Sequence, residues 1–424
     1  MKRTKELIYI GIILFFAIAV YADGEQVVSW QDCVKSAVSN NPRLVSAEEE
    51  VRQAEANKKI VQSTGMPRIT ADLAGSTSER AGSDAQTEFY SLGISGRQLL
   101  FDGAKTSKTV KESEENIKAS LYSYTVVSSD VRLDLRSAFV ELMYTQELML
   151  LTEDIAQRRR QNLKLVNLRY EAGREHKGSL LTAEADLARA EFEVQQAVRD
   201  IPLKQRQLYK GLGVDNIRPL KVNGEFDIQG DYRLRPDIEY IADTTPFLNE
   251  LMANKEAARY NLQSAKADFY PKVYVNGSIG IASSDFPPDQ GEWSAGLSLS
   301  LPIFEGGSRL AEVSRAESGL QKAEADEQSG KQSVLVTLEN AWKDLQDSIT
   351  NVSVQKKFQD AAEERAKIAG AQYESGLISF DDWIIIENSL VSARKTHLRA
   401  RADMLLAEAN WIQAIGGTLE YDKE

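Results

Sequence analysis

Trp293-Ser294-Ala295-Gly296-Leu297-Ser298-Leu299-Ser300-Leu301-Pro302-Ile303-Phe304-Glu305-Gly306-Gly307 is the stretch on which the fold turns. From Trp293 to Ile303 apolar side chains alternate with serine, glycine and proline. Period two marks a strand with one apolar face. Past Gly307 the alternation stops, and a proline-free, glycine-poor run continues to Tyr373 over 67 residues. At 1.5 Å per residue such a helix is ~100 Å long, too long for a globular domain and suited to a coiled-coil-like assembly.

Upstream the same change of period recurs. Val273, Val275, Ile279 and Ile281 alternate with Lys272, Tyr274, Asn276, Ser278 and Gly280, and Pro287 and Pro288 occupy the turn that follows. Earlier still, Ile69, Ala71 and Leu73 alternate, as do Tyr90, Leu92 and Ile94 against Ser91, Gly93 and Ser95. Ala104 to Tyr170 is then a second run of 67 residues, free of glycine and proline.

The chain is therefore a tandem repeat. Pro42 matches Pro246, Pro67 matches Pro271, and Phe101-Asp102-Gly103 matches Phe304-Glu305-Gly306. Tyr170-Glu171-Ala172-Gly173 matches Tyr373-Glu374-Ser375-Gly376, and Gly213 matches Gly417. All five landmarks keep one offset of about 204 residues. The organisation read from them is a leader at 1–22, a first repeat at 23–213 and a connector at 214–244. A second repeat at 245–417 and a tail at 418–424 complete it. Strands fall at about 67–76 and 89–101 in the first copy and about 271–283 and 292–304 in the second. The connector carries Pro219, Gly224, Gly230 and Pro236 and is expected to be irregular.

Each copy reads helix, strand, strand, long helix, return helix. In the first, Trp30–Thr64 spans 35 residues with Pro42 as its one break, and Ser179–Gly211 spans 33. Laid end to end they match the long helix, which predicts a staff two helices thick.

The first residues, Lys2, Arg3 and Lys5, then an apolar run from Leu7 to Tyr21 and small residues at Val20-Tyr21-Ala22, read as a secretory leader. The formal charge is −12, and near −14 once that leader with its Lys2, Arg3, Lys5 and Glu6 is removed. So acidic a chain is a poor partner for nucleic acid or anionic lipid head groups. Past the leader no stretch is apolar for ~18 residues, so membrane insertion would have to use strands. The single cysteine, Cys33, allows no internal disulfide and reads as a small buried apolar residue. Its two histidines, His176 and His397, lie on different hairpins. With no phosphate loop, nucleophile motif or histidine-based acid–base pair, no enzyme activity, cofactor or metal site is expected.

Four strands cannot close a barrel, since transmembrane barrels begin at about eight and an open edge in lipid is forbidden. If the hairpins enter a membrane the chain must oligomerise, and a trimer supplies about twelve strands. The rival reading is a soluble periplasmic coiled-coil adaptor or structural staff. It accounts for the leader, the charge and the helices, but not for two matching apolar-faced hairpins.

In this order and duplication the landmarks resemble the TolC-type outer-membrane efflux proteins. The likeness covers the chain after its leader: Asn41-Pro42-x-Leu44, Pro67 and Pro271 before strands, Phe-Asp/Glu-Gly after them, and Tyr-x-x-Gly at both hairpin tips. It implies a mainly α fold with transmembrane β: a homotrimeric barrel in the outer membrane joined to a long helical tunnel in the periplasm. It further implies a passive exit duct in a tripartite efflux or type I secretion system. The partners would be a periplasmic adaptor, an inner-membrane pump or ABC exporter, and outer-membrane lipid.

The resemblance also directs attention to the tips. Tyr170 and Gly173, with Tyr373 and Gly376, read as helix C-termini closed by a left-handed glycine. Ser379-Phe380-Asp381-Asp382 reads as a capping-box variant. Aligned on the second tip, Asp382 takes one of the acidic positions that line the family's narrow tunnel end, with Asp381 beside it. The next such position is Ile385, the locking arginine is replaced by Ile378, and its acidic partner falls near Ser179. The expectation is a constriction with one acidic ring beside an apolar ring, without that salt bridge. Around the two tips, Tyr170, Gly173, Arg174, Lys177, Tyr373, Gly376 and Ile378 are candidate adaptor contacts, although a charged run such as Arg174-Glu175-His176-Lys177 is more often a solvated turn.

Overall fold

A computed structural model describes residues 26–79, 86–216, 218–228 and 230–420. The leader, the centre of the first strand turn and the last residues of the tail lie outside that range. The described elements run β1 (Gln26–Val28), α1 (Trp30–Asn40), α2 (Pro42–Ser63), β2 (Arg68–Glu79), β3 (Gln86–Phe101), α3 (Lys105–Glu171) and α4 (Lys177–Leu212). They continue as β4 (Leu220–Val222), α5 (Ile238–Thr244), α6 (Pro246–Ala267), β5 (Lys272–Ser283), β6 (Gln290–Ser300), α7 (Ser308–Ser375) and α8 (Phe380–Ala414).

Local chemistry sets the boundaries. Ser29 and Asp32 form a capping box at the start of α1. Asn41 ends α1 in an extended conformation and its side chain accepts from the Arg43 N–H, so one residue terminates one helix and caps the next. Pro42 then fills the first helical position, where no N–H is needed. The long helices α3 and α7 contain 67 and 68 residues. α4 begins two residues before the Ser179 start read from sequence, because His176 accepts from the Ser179 N–H and serves as the cap.

The second expectation to shift is the connector. It is not wholly irregular. β4 pairs in parallel with β1, Gln26 to Val28 lying against Leu220 to Val222, and α5 packs on α7. The proline and glycine signals in this segment were real, but Leu220, Val222, Ile238 and Ala242 are buried, and burial of these few side chains orders short elements between the breakers. The last strand ends at Ser300 rather than near 304.

The four long strands form one antiparallel sheet in the order β2-β3-β5-β6. Its register separates the two faces cleanly. On one face Ile94 pairs with Ile279 and Ile279 with Trp293, while Leu73 pairs with Leu92 and Leu92 with Ile281. On the other, hydroxyl and amide groups bond across strands: Thr70 to Ser95 at 2.7 Å, Ser278 to Ser294 at 2.8 Å and Asn276 to Ser298 at 2.9 Å. β2 and β6 are left as unpaired edges. Among the described residues, no helix is long and apolar enough to cross a membrane.

Each long helix is flanked by two shorter ones: α2 and α4 on α3, and α6 and α8 on α7. The short helices meet end to end. Asn41 Nδ2 donates to the Gly211 carbonyl at 2.8 Å, and a Cβ on Gly213 would lie 2.3 Å from the Asn40 carbonyl oxygen. In the second copy Gly416 abuts Pro246 in the same way, its notional Cβ 2.3 Å from the ring. The main core lies at this level. Cys33, Leu135, Phe139, Leu208 and Val222 pack there with Leu405 and Leu419 from the end of the chain. Burial pushes the Cys33 thiol up to about 12, in keeping with an apolar packing role.

Candidate functional site: the paired hairpin tips

At the end remote from the sheet, both helical hairpins turn in the same way. Gly173 at φ +69 and Gly376 at φ +78 take the left-handed conformation that side-chain-bearing residues avoid. The Arg174 N–H reaches back to the Arg169 carbonyl at 2.8 Å, and the Leu377 N–H to that of Gln372 at 2.8 Å. These are the long-range bonds of the Schellman closure. At the start of α8, Ser379 Oγ accepts from the Asp382 N–H at 3.1 Å and donates to Asp382 Oδ2 at 2.6 Å.

Beneath the turns an aromatic cluster joins the two hairpins. The Tyr373 ring stacks on Trp383, centroids 4.3 Å apart and 9° from parallel, and Phe380 meets both edge-on. Val166 and Ala183 of the first hairpin complete the cluster. The Arg169 guanidinium lies 4.5 Å from the Tyr373 ring centroid, and its Nη1 donates to the Tyr373 carbonyl at 2.8 Å. The Tyr373 hydroxyl donates to Glu175 Oε2 at 2.9 Å, and Ser179 Oγ donates to Glu175 Oε1 at 2.9 Å.

Electrostatics follow from that geometry. Burial drives the Tyr373 phenol well above its ordinary value, and the carboxylate it bonds adds to the rise. Burial also pushes the Glu175 carboxyl up. The bonds from Tyr373, Ser179 and the His176 backbone outweigh that, and its pKa falls below the usual carboxylate value. Glu175 is thus an ionised acceptor that ties the tip of one hairpin to the other.

A model of the family described as "Outer membrane efflux protein" matches residues 33–214 and 241–417. The chain belongs to that family. Nodulation protein T of Rhizobium leguminosarum bv. trifolii is 22% identical over 384 residues, which cover 87% of this chain and 81% of that protein. The cation efflux system protein CusC of Escherichia coli (strain K12) is 22% identical over 417 residues, 91% of this chain and 85% of CusC. A crystal structure of CusC superposes with a TM-score of 0.85 at 20% identity, covering 94% of this chain and 96% of CusC.

As an outer membrane efflux protein, the chain is a channel component, located in the outer membrane with its helices in the periplasm. Its tip residues divide by role. Gly173, Arg174 and Gly376 lie exposed on the turns, and Tyr170 and Lys177 lie exposed on the helix ends that flank the first of them. Ile378 is half-buried against the aromatic cluster. Tyr373 departs from the adaptor-contact expectation: its side chain is fully buried, so it supports the tips from within and offers no docking surface. Asp381 and Asp382 are exposed, Ile385 is 63% exposed, and the adjacent Ile384 is buried. Asp382 carries both a cap and a solvent-facing carboxylate. No grouping of three His, Cys, Asp or Glu that could hold a metal occurs among the described residues.

The tie itself was not legible as a tie. The tips are joined by Arg169, Tyr373 and Glu175. Arg169 lies three residues from Val166, which the structure shows to be fully buried, and so shares the inward stripe of α3.

Proposed function

We propose that three copies of this chain close a barrel of about twelve strands and form a passive exit duct across the outer membrane. The observation that carries this is the sheet: four strands, one apolar exposed face, one polar face, and two unpaired edges at β2 and β6. Unpaired edges cannot stand in hydrocarbon, so each must find the opposite edge of another copy. The apolar rows through Leu73, Ile94, Ile279 and Trp293 then face lipid, and the hydroxyl rows line the lumen.

The α-helical hairpins extend this lumen as a periplasmic tunnel. Its narrow end lies at the tips, where rings of Asp382 and Ile385 form the constriction, with Asp381 alongside. Three carboxylates around one axis attract cations and repel anions. Arg174, Lys177, Tyr170, Gly173, Gly376 and Ile378 form the rim that meets a periplasmic adaptor, which connects the duct to an inner-membrane pump or ABC exporter. Relatives such as CusC are named for cation efflux; the fold places no such limit on the cargo of this chain.

Membrane fractionation with unheated gel electrophoresis tests the assembly. The expected result is an outer-membrane species at trimer mass that collapses to monomer on boiling. A monomer in the soluble periplasmic fraction overturns it.

A further inference from the structure

Glu387 of α8 is only 1% exposed, yet it is ionisable and lies two turns inside its helix, beyond the reach of the Ser379 cap. Among the described residues, all of its side-chain hydrogen bonds come from the other hairpin. Arg158 Nε donates to Oε2 and Arg158 Nη2 to Oε1, both at 2.7 Å, and Asn162 Nδ2 donates to Oε2 at 3.1 Å. This is the paired-fork geometry that fixes both partners in position as well as neutralising charge. Beside it Arg159 bonds Asn388.

The other ion pairs between α8 and the first hairpin are wetter. Arg394–Asp154, Arg399–Glu141 and Lys395–Glu193 each keep about a fifth or more of both side chains in solvent. Exposed pairs of that kind contribute little and tolerate displacement. Glu387 does not. Sliding α8 by one turn, about 5.4 Å, would leave its carboxylate buried without a partner.

The position of the pair relates it to the tip. On α3, Arg158, Asn162, Val166 and Arg169 follow one another at spacings of four, four and three, which is a single stripe. On α8, Trp383 and Glu387 are four apart and share a face. One stripe carries Arg158 at one end and Arg169 at the other, about 16 Å apart. The facing helix holds Arg158 through Glu387 and holds Tyr373 through Trp383.

We infer that Glu387 is a positioning residue for the tip closure: its fork with Arg158 sets the axial register of the two hairpins in which Tyr373 meets Arg169 and Glu175. The inference rests on the reading of these tips as the closed end of a duct. Apolar helix packing alone specifies register weakly, since ridges can move to the next groove. The fork on this buried carboxylate supplies the missing constraint one step behind the tie it serves.

Single-channel conductance of the full-length protein in planar bilayers tests it, with trimer mass on an unheated gel as the control for folding. Glu387→Gln keeps the shape and removes the charge. It is expected to raise the open fraction by about ten-fold, the scale of one charge-assisted hydrogen bond. The exchanged pair Arg158→Glu with Glu387→Arg is expected to return it toward the parent value. In a Tyr373→Phe background, Glu387→Gln is expected to add much less than in the parent protein, because the Glu175 bond it positions is already gone and only the Arg169 bond to the residue 373 carbonyl is left. A merely structural role would lower the heat resistance of the trimer and leave the open fraction unchanged. That result overturns the inference, as does full additivity with Tyr373→Phe. A parent protein that forms no pore at all overturns the duct reading itself, and is thereby distinguishable.

Discussion

The Tyr373 hydroxyl donates to Glu175 Oε2 across 2.9 Å, joining residues 198 positions apart on the two hairpins. The ring beneath that hydroxyl is fixed by Trp383 on one helix and Arg169 on another. The bond therefore has no freedom to follow one hairpin if the other moves. It is either made or broken.

Replacing Tyr373 with phenylalanine removes the bond and keeps the stack. A hydrogen bond to a charged acceptor is worth about 1.5–3 kcal/mol. Tyr373→Phe is expected to favour the open tip by about that amount, read as an increase in open fraction in planar bilayers. An unchanged open fraction would show that the tie does not restrain the tips.

Acid should have the same effect. The Glu175 pKa is depressed in the folded state, so its stabilisation is complete above the ordinary carboxylate value and is lost as pH falls through the depressed one. The tip closure is expected to hold at neutral pH and to weaken only under acid conditions. Conductance followed from neutral to strongly acid pH, with Glu175→Gln as the reference lacking the transition, checks the sign.

The cap formed by Asp382 and the charge proposed for it at the constriction can be separated. Asp382→Asn keeps an acceptor for the Ser379 hydroxyl and removes the charge. The helix start should survive, while the preference for cations over anions falls. Reversal potentials under a salt gradient measure this, and an unaltered cation preference would rule out a ring of Asp382 at the constriction.

The junction glycines should not tolerate a methyl group. Gly213 has φ +71, and a Cβ there would meet the Asn40 carbonyl at 2.3 Å. Gly213→Ala is expected to cost about 1–3 kcal/mol from backbone strain, with the clash in addition. Thermal loss of the helical circular dichroism signal at lower temperature than in the parent protein is the measurement.

Cys33 should be inert in the native protein. It is fully buried, and its thiol is pushed up to about 12 by burial, so little thiolate exists at neutral pH. A maleimide reagent is expected to label it only after unfolding.

Periodicity and spacing determined most of the scaffold. The change from alternating residues to long glycine-poor runs places β5, β6 and α7, and the constant offset of the landmarks places their counterparts. These are local properties: a strand shows which side chains share a face, and a helix ends where a glycine or proline forces it to. The tip glycines Gly173 and Gly376 and the Ser379–Asp382 cap were legible for the same reason. Tertiary structure alone decided which residues of α3 meet which residues of α8. Arg158 and Glu387 are 229 positions apart, and nothing in the pattern of either helix names the other. A heptad stripe gives the face but leaves the axial register free by whole turns. A buried carboxylate that must find its guanidinium, and a tyrosine held between Trp383 and Arg169, remove that freedom only once the two hairpins lie side by side.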